Sequence, residues 1–258
     1  MILTFYKYQG TGNDFVMIDN RQGVFPKDDT KLVAFLCDRR FGIGADGLIL
    51  LENDDVSDFK MVYYNSDGNE STMCGNGGRC LAAFARFLGI IEKEGRFMAV
   101  DGLHYASLEG DMVSLQMQDV HGIQQKEKYT FLDTGSPHHV QLVEELTKFD
   151  VPKEGAKLRY GIYGEKGSNI NFVSQSDKNT FEVRTYERGV EDETLSCGTG
   201  VTAVALAMHH NGIATEDTVH ISTPGGRLKI EFEQDDQGYK KVFLTGPAKQ
   251  VFKGEVQC

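Results

Sequence analysis

The 258-residue chain predicts an α+β protein built from two similar halves, in which strands outnumber helices. Three observations carry this reading. The segment Met73-Cys74-Gly75-Asn76-Gly77-Gly78 recurs as Ser196-Cys197-Gly198-Thr199-Gly200-Val201 at an offset of 123 residues. The same offset carries Ala82 onto Ala205, Gly89 onto Gly212 and, far upstream, Thr11-Gly12 onto Thr134-Gly135. Each of the two cysteines is followed by an apolar pattern of helical period, and most of the remaining chain is short alternating runs closed by turn residues. The halves are placed at residues 1–120 and 121–249, with 250–258 returning to the first half as a strand.

The elements follow in order. Met1-Ile2-Leu3-Thr4-Phe5-Tyr6-Lys7 reads as a strand, Lys31 to Arg39 as a helix and Leu48-Ile49-Leu50-Leu51 as a strand. Phe59 to Tyr64 is β-like and matches Phe181 to Tyr186 with a one-residue slip. Leu81, Phe84, Ala85 and Leu88 fall at i, i+3, i+4 and i+7, one face of a helix, and Gly89 stands where a left-handed C-cap is wanted. Val201, Val204, Ala205 and Met208 repeat this and end at Gly212. Both helices are alanine-rich with little charge near their starts, which suits helices enclosed by other elements. Val113 to Met117 and Leu228 to Phe232 alternate as strands, with turns at Ser66-Asp67-Gly68, Pro224-Gly225-Gly226 and Asp236-Gln237-Gly238.

Composition narrows the class. The formal charge is −11, which argues against a phosphate-backbone partner, since nucleic-acid binders present a basic face. No apolar run approaches the roughly 18 residues of a membrane span. The N-terminus lacks a signal-peptide core. Five cysteines are an odd number in a chain too large to need disulfide staples, so a reducing cytoplasm is expected.

The two repeated cysteines are the candidates for chemistry. Each lies just before a Gly-x-Gly, at the start of a predicted helix. There the outward backbone N–H groups and the helix dipole stabilise negative charge and favour the thiolate. The same N–H groups could hold a carboxylate. Inverting a stereocentre needs proton removal on one face and return on the other, hence two acid–base groups, one ionised and one protonated. A duplicated half with one thiol each suits that reaction. Cys37, Cys80 and Cys258 are read instead as buried small hydrophobes.

Other motifs carry less. Gly42-Ile43-Gly44-Ala45-Asp46-Gly47 satisfies G-x-G-x-x-G, but it follows a helix and precedes a strand, the reverse of a dinucleotide fingerprint. There is no P-loop, no C-x-x-C and no cysteine–histidine spacing for zinc. Pro137-His138-His139 reads as a structural turn, although His138 is the one credible base for a cysteine-nucleophile hydrolase.

Taken together, Gly10 to Phe15, Arg40 to Gly47, Tyr64 to Gly68, Met73 to Cys80, Thr134 to His138, Asn169 to Val173, Tyr186 to Gly189, Ser196 to Gly200 and Gly246 to Glu255 resemble the diaminopimelate epimerases over essentially the whole chain. The resemblance implies two pseudo-symmetric α+β domains, each a curled, mostly antiparallel sheet around a central helix, with the active site in the cleft between them. It implies a cofactor-independent isomerase interconverting LL- and meso-diaminopimelate in lysine and peptidoglycan precursor synthesis, with no metal. Cys74 and Cys197 would be the two bases, and backbone N–H groups at Gly75-Asn76 and Gly198-Thr199 would hold the reacting carboxylate. Asn13, Asn65, Asn169, Glu187 and Arg188 would grip the substrate, the last two at its distal end, where an Arg fork and an acidic acceptor suit a zwitterion. Ser136 stands where the family commonly has asparagine, and Gly189 to Thr194 is one residue longer than its usual loop. A proline or hydroxyproline racemase is the rival on this architecture, but its pattern has histidine after Cys-Gly where Asn76 stands here. The expected partner is a small molecule, with neither nucleic acid nor membrane. Oligomeric state is not written in the sequence, and a homodimer is the expectation carried forward.

Overall fold

Alternation of inward and outward side chains from Ile2 onward, with Leu3 and Phe5 buried and Ile2 and Thr4 exposed, makes the first strand of a half-buried sheet. The computed structural model describes residues 2–258, so Met1 of that expected strand lies outside the described residues. The chain divides into two compact units. The first runs through Leu115 and takes in Gly246–Cys258; the second is Gln116–Thr245.

In the first unit the order is β1 (Ile2–Gly10), β2 (Asn13–Asp19), α1 (Thr30–Cys37), β3 (Gly47–Glu52), β4 (Phe59–Asn65), α2 (Gly75–Phe87), β5 (Glu94–Ala99), β6 (Gly102–Glu109) and β7 (Met112–Gln116). In the second it is β8 (Gln124–Gln125), β9 (Thr130–Asp133), β10 (Pro137–Leu142), α3 (Val151–Tyr163), β11 (Asn169–Asp177), β12 (Thr180–Glu187), β13 (Asp192–Thr194), α4 (Gly198–His210), β14 (Thr218–Thr223), β15 (Gly226–Asp235) and β16 (Gly238–Pro247). β17 (Lys249–Gln257) closes the chain and pairs antiparallel with β1, Ile2 opposite Gln257.

The strand pairings repeat. β1–β2 and β9–β10 are antiparallel; β2–β3 and β10–β11 are parallel, Phe15 opposite Gly47 and His138 opposite Asn169. β3–β4 and β11–β12 are antiparallel, β4–β5 and β12–β14 parallel, β5–β6 and β14–β15 antiparallel again. Each unit is thus a mostly antiparallel sheet with two parallel joints, the α+β class expected. The one-residue slip falls between β12 and α4. There β13 pairs with β12, whereas the first unit has a single bridge, Tyr64 to Glu70.

A helix fills each sheet. α2 packs against β1, β2, β3, β4, β6 and β17, and α4 against β9, β10, β11, β12, β14 and β15. A helix with strands around it needs apolar or small residues on every side. Gly75 through Ala85 are all buried, and so are Val201 through Met208. Gly89 and Gly212 follow their C-cap residues at φ 72° and 71°, the left-handed positions read from the sequence. Cys37 and Cys80 are buried as expected, but Cys258, just past the end of β17, is exposed. No helix among the described residues is long and apolar enough to cross a membrane.

Candidate active site

Cys74 and Cys197 occupy one structural position in the two units. Each is the N-cap of the enclosed helix, in extended backbone, with φ −104° and −116°. Neither side chain caps its own helix. The first-turn N–H groups therefore open toward the space beside each sulfur, with the positive end of the dipole behind them. The residue types decide this geometry: small Gly75 and Gly198 after each cysteine let the chain enter the helix without a bulky first turn. Gly200 admits close approach as well, since a Cβ there would lie 2.5 Å from Asn171 Oδ1 and 3.3 Å from Cys197 Sγ.

Around Cys74 the structure gathers Asn13, Asn76, Thr11 and Asp46. Cys74 Sγ donates to Asn13 Oδ1 at 3.5 Å, and Asn76 Nδ2 donates to the same oxygen at 3.4 Å. Asn13 Nδ2 donates to Asp46 Oδ2 at 2.6 Å. Asp46 is held by Arg39 at 2.7 Å, and Arg39 also grips Asp14, which pairs with the buried Lys7 at 2.7 Å. Burial would raise the Asp14 carboxyl, but the Arg39 and Lys7 hydrogen bonds outweigh it and hold it at about 2. Behind the helix Arg79 is fully buried, and its Nη2 donates to Thr11 Oγ1 at 3.2 Å. That contact steadies Thr11 in a left-handed turn conformation, φ 52°. Asn65 ends β4 with an exposed side chain and makes no hydrogen bond to this group.

Around Cys197 the gathering is Thr199, Ser136, His138, Asn169 and Asn171. Cys197 Sγ lies 3.5 Å from Thr199 Oγ1, which lies 3.2 Å from Ser136 Oγ. Ser136 Oγ is 3.0 Å from His138 Nε2 and accepts from Asn169 Nδ2 at 3.2 Å. Asn171 Nδ2 donates to His138 Nδ1 at 3.1 Å. His138 has no exposed surface, and burial first, then the nearby Arg188 charge, push its pKa down to about 3. It is therefore a structural imidazole and a poor base, which removes the feature a cysteine-nucleophile hydrolase would require. Arg188 donates its backbone N–H to Asn169 Oδ1 at 2.9 Å and its guanidinium to Lys166 O at 3.1 Å. Glu187 accepts from Thr194 Oγ1 at 2.8 Å.

Sequence reading singled out the cysteines, the asparagines and the Glu187-Arg188 pair, but passed over Thr11, Asp46, Arg79 and Asn171. Asp46 was visible only as part of the glycine motif. That loop folds back on α1, where Ile43 N and Gly44 N both reach Leu36 O, and a Cβ on Gly42 would collide with Phe35 O. Its glycines serve packing, not a phosphate. Cys37 and Cys80 are pushed by burial up to about 12, so neither is a reactive thiol.

The fold places the chain in a class of two-domain proteins. It superposes over its whole length on a phenazine biosynthesis protein of the PhzF family from Bacillus anthracis, with a TM-score of 0.80 at 12% identity and all of both chains covered. It also matches a hydroxyproline epimerase from Agrobacterium vitis with bound trans-4-hydroxy-L-proline, TM-score 0.68 at 14% identity, covering 99% of this chain and 92% of that one. Within that class the sequence is specific. The family model for diaminopimelate epimerase matches residues 5–117 and 130–251. A diaminopimelate epimerase of Flavobacterium psychrophilum is 60% identical over 250 residues, covering 96% of this chain and 98% of the relative. One from Aquifex aeolicus is 39% identical over 278 residues, covering 98% of each. The chain belongs to the diaminopimelate epimerase family.

Proposed function

We propose that the protein epimerises LL- and meso-diaminopimelate at one α-carbon, without a cofactor, with Cys74 and Cys197 as the acid–base pair. The observation that carries this is the equivalence of the two cysteines: both are N-caps of enclosed helices at matching places in two repeated units. One thiolate removes the α-proton and the other thiol returns a proton, and the roles exchange in the reverse direction. The N–H groups of Gly75-Asn76 and Gly198-Thr199 suit the substrate carboxylate, whose charge grows toward the enolate-like transition state that helix dipoles favour. Asn13 and Asn169 sit within the two polar clusters and supply amide contacts, while Asn65, Glu187 and Arg188 are assigned to the rest of the substrate. Ser136 replaces a direct amide contact with a hydroxyl already engaged by His138 and Asn169, so its role is to shape the Cys197 cluster. The small amino-acid substrate is the partner; the acidic chain suits neither nucleic acid nor a membrane surface, and its odd cysteine count suits a reducing cytoplasm.

The test is incubation of reduced protein with LL-diaminopimelate in D₂O with no cofactor added. Formation of the meso form with deuterium at the inverted carbon is the expected result. Cys74→Ala and Cys197→Ala should each abolish turnover. Inversion without solvent deuterium would refute proton exchange, and full turnover in either single variant would refute the two-base assignment.

A further inference from the structure

The hydrogen-bond partners around the two sulfurs are ordered by groups whose direction is chemically forced. Asn171 Nδ2 faces His139 O at 3.0 Å, a backbone carbonyl that can only accept, while its Oδ1 accepts from Thr185 at 3.0 Å. Its amide therefore points N–H at His138 Nδ1. A neutral imidazole with Nδ1 accepting carries its proton on Nε2, so His138 donates to Ser136 Oγ. Asn169 is fixed in the same way: its Oδ1 accepts the backbone N–H of Arg188, and its Nδ2 faces Pro137 O at 3.3 Å and Ser136 Oγ. Ser136 thus receives two donors, which fill its two lone pairs. Its own proton goes to Thr199 Oγ1, and the Thr199 hydroxyl is left to donate to Cys197 Sγ.

The first unit ends the opposite way. Asp46 can only accept, so Asn13 turns its Nδ2 to that carboxylate at 2.6 Å and presents its carbonyl oxygen to Cys74 Sγ. Asn76 agrees, since its Nδ2 also faces that oxygen while its own Oδ1 accepts from Thr11 Oγ1.

We infer that these two chains of hydrogen bonds set the resting protonation of the pair, Cys197 as the thiolate that accepts from Thr199 and Cys74 as the thiol that donates to Asn13, with Ser136, His138 and Asp46 as positioning residues. The inference rests on the reading of Cys74 and Cys197 as the acid–base pair. A hydrogen bond donated to the charged form favours it, and one accepted from the neutral form favours that. Apart from Arg79, the charged groups on the segments around each sulfur are engaged in their own contacts. Along the segment that leads to Cys197, Glu187 holds Thr194, Glu193 pairs with Arg184, Glu191 with Arg159, and Arg188 reaches Lys166 O. Near Cys74, Asp46, Arg39, Asp14 and Lys7 form one ion-pair group, and Arg79 lies beside Cys80 behind the helix. Arg79, fully buried with Nε and Nη1 lacking hydrogen-bond partners, favours a thiolate at Cys74, so the decisive readout is how each sulfur responds to its own positioning residues.

The experiment is a titration of thiolate ultraviolet absorbance on the reduced, full-length protein. Each cysteine is isolated by subtracting the curve of its Cys→Ser variant. Cys197 is expected to titrate at least about one pH unit below Cys74. Thr199→Val should raise the Cys197 midpoint by about one unit, whereas Thr199→Ser, which keeps the hydroxyl, should not. Ser136→Ala should move the Cys197 midpoint the same way as Thr199→Val and leave Cys74 alone. Asp46→Ala, by releasing the Asn13 amide to face the sulfur, should lower the Cys74 midpoint. If Asp46→Ala does not fold, the Thr199→Val and Thr199→Ser pair decides. Equal midpoints in the parent protein, or a Cys197 midpoint unmoved by Thr199→Val, would overturn the inference. Because thiolates are read directly, a split pair without epimerisation would refute the catalytic reading alone, and epimerisation with equal midpoints would refute this assignment alone.

Discussion

Acidification should weaken this protein through two histidines buried side by side in β10. His138 is fully enclosed and bonded at both ring nitrogens. His139 is enclosed as well, stacked on Tyr129 with ring centroids 4.2 Å apart and bonded to Tyr163 Oη at 2.9 Å. Burial pushes their pKa values down to about 3 and about 4, from about 6.5 in the unfolded chain. Below about pH 6.5 the unfolded state then binds more protons than the folded one, so stability falls as pH falls. The neutral rings keep their full contribution above about 6.5, and the loss continues until His139 protonates near 4 and His138 near 3. One bound proton is worth about 1.4 kcal/mol per pH unit, so the pair imposes a slope of about 3 kcal/mol per unit between about pH 6 and 4. From neutrality to about pH 5 the loss is roughly 4 kcal/mol, a large part of an ordinary stability of about 5–15 kcal/mol. Asp14 does not confuse this window. Its carboxyl, held at about 2, contributes stability above about 4 and loses it only as pH falls toward 2. Urea unfolding followed by circular dichroism at several pH values gives the slope. His139→Gln should reduce it by about half, whatever the variant does to absolute stability. A parent slope below about 1 kcal/mol per unit, or a variant slope unchanged, would refute the reasoning.

The corresponding glycines Gly77 and Gly200 should respond unequally to alanine. Both gain about 1 kcal/mol of helix propensity. At Gly77 the new methyl meets the flexible tips of Ile49 at 2.9 Å and Met61 at 3.3 Å, whereas at Gly200 it meets the pinned Asn171 Oδ1 at 2.5 Å. Thermal unfolding should find Gly77→Ala close to neutral and Gly200→Ala destabilised by about 1–2 kcal/mol, with epimerase activity falling in the second alone; equal effects would count against the Asn171 network. In α3, Gly155 faces the Tyr186 ring, and Gly155→Ala should cost about 1–3 kcal/mol despite better propensity; a stabilised variant would contradict that contact. Native-state alkylation read by mass spectrometry should modify the exposed Cys258 quickly and leave Cys37 and Cys80 unmodified until denaturant is added. Rapid native labelling of Cys80 would show that α2 opens.

Local pattern determined a good deal by itself. The period-3.6 runs after Cys74 and Cys197, ended by Gly89 and Gly212, specify both enclosed helices, because a helix boundary depends on residues within a few positions. The same locality separates Gly42 to Gly47 from a nucleotide fingerprint, since the order of helix, loop and strand is legible without a partner. α3 was not legible. Its buried positions are Val151, Gly155 and Arg159, so the face it presents carries almost no apolar signal. Arg159 is explained by Glu191 at 3.1 Å, 32 residues away, and by the Gly164 carbonyl at 2.6 Å, where the chain leaves the helix.

The candidate site divides along the same line. Repetition marked the two cysteines and their glycines as equivalent, which composition and spacing can reveal. What differs between them is tertiary. Thr11 meets Arg79 across 68 residues, Asn13 meets Asp46 across 33, and Asn171 meets His138 across 33. Two sequence segments that look alike therefore end in opposite hydrogen-bond directions at sulfur. That direction is set by the nearest group able only to accept or only to donate, and folding alone decides which group that is.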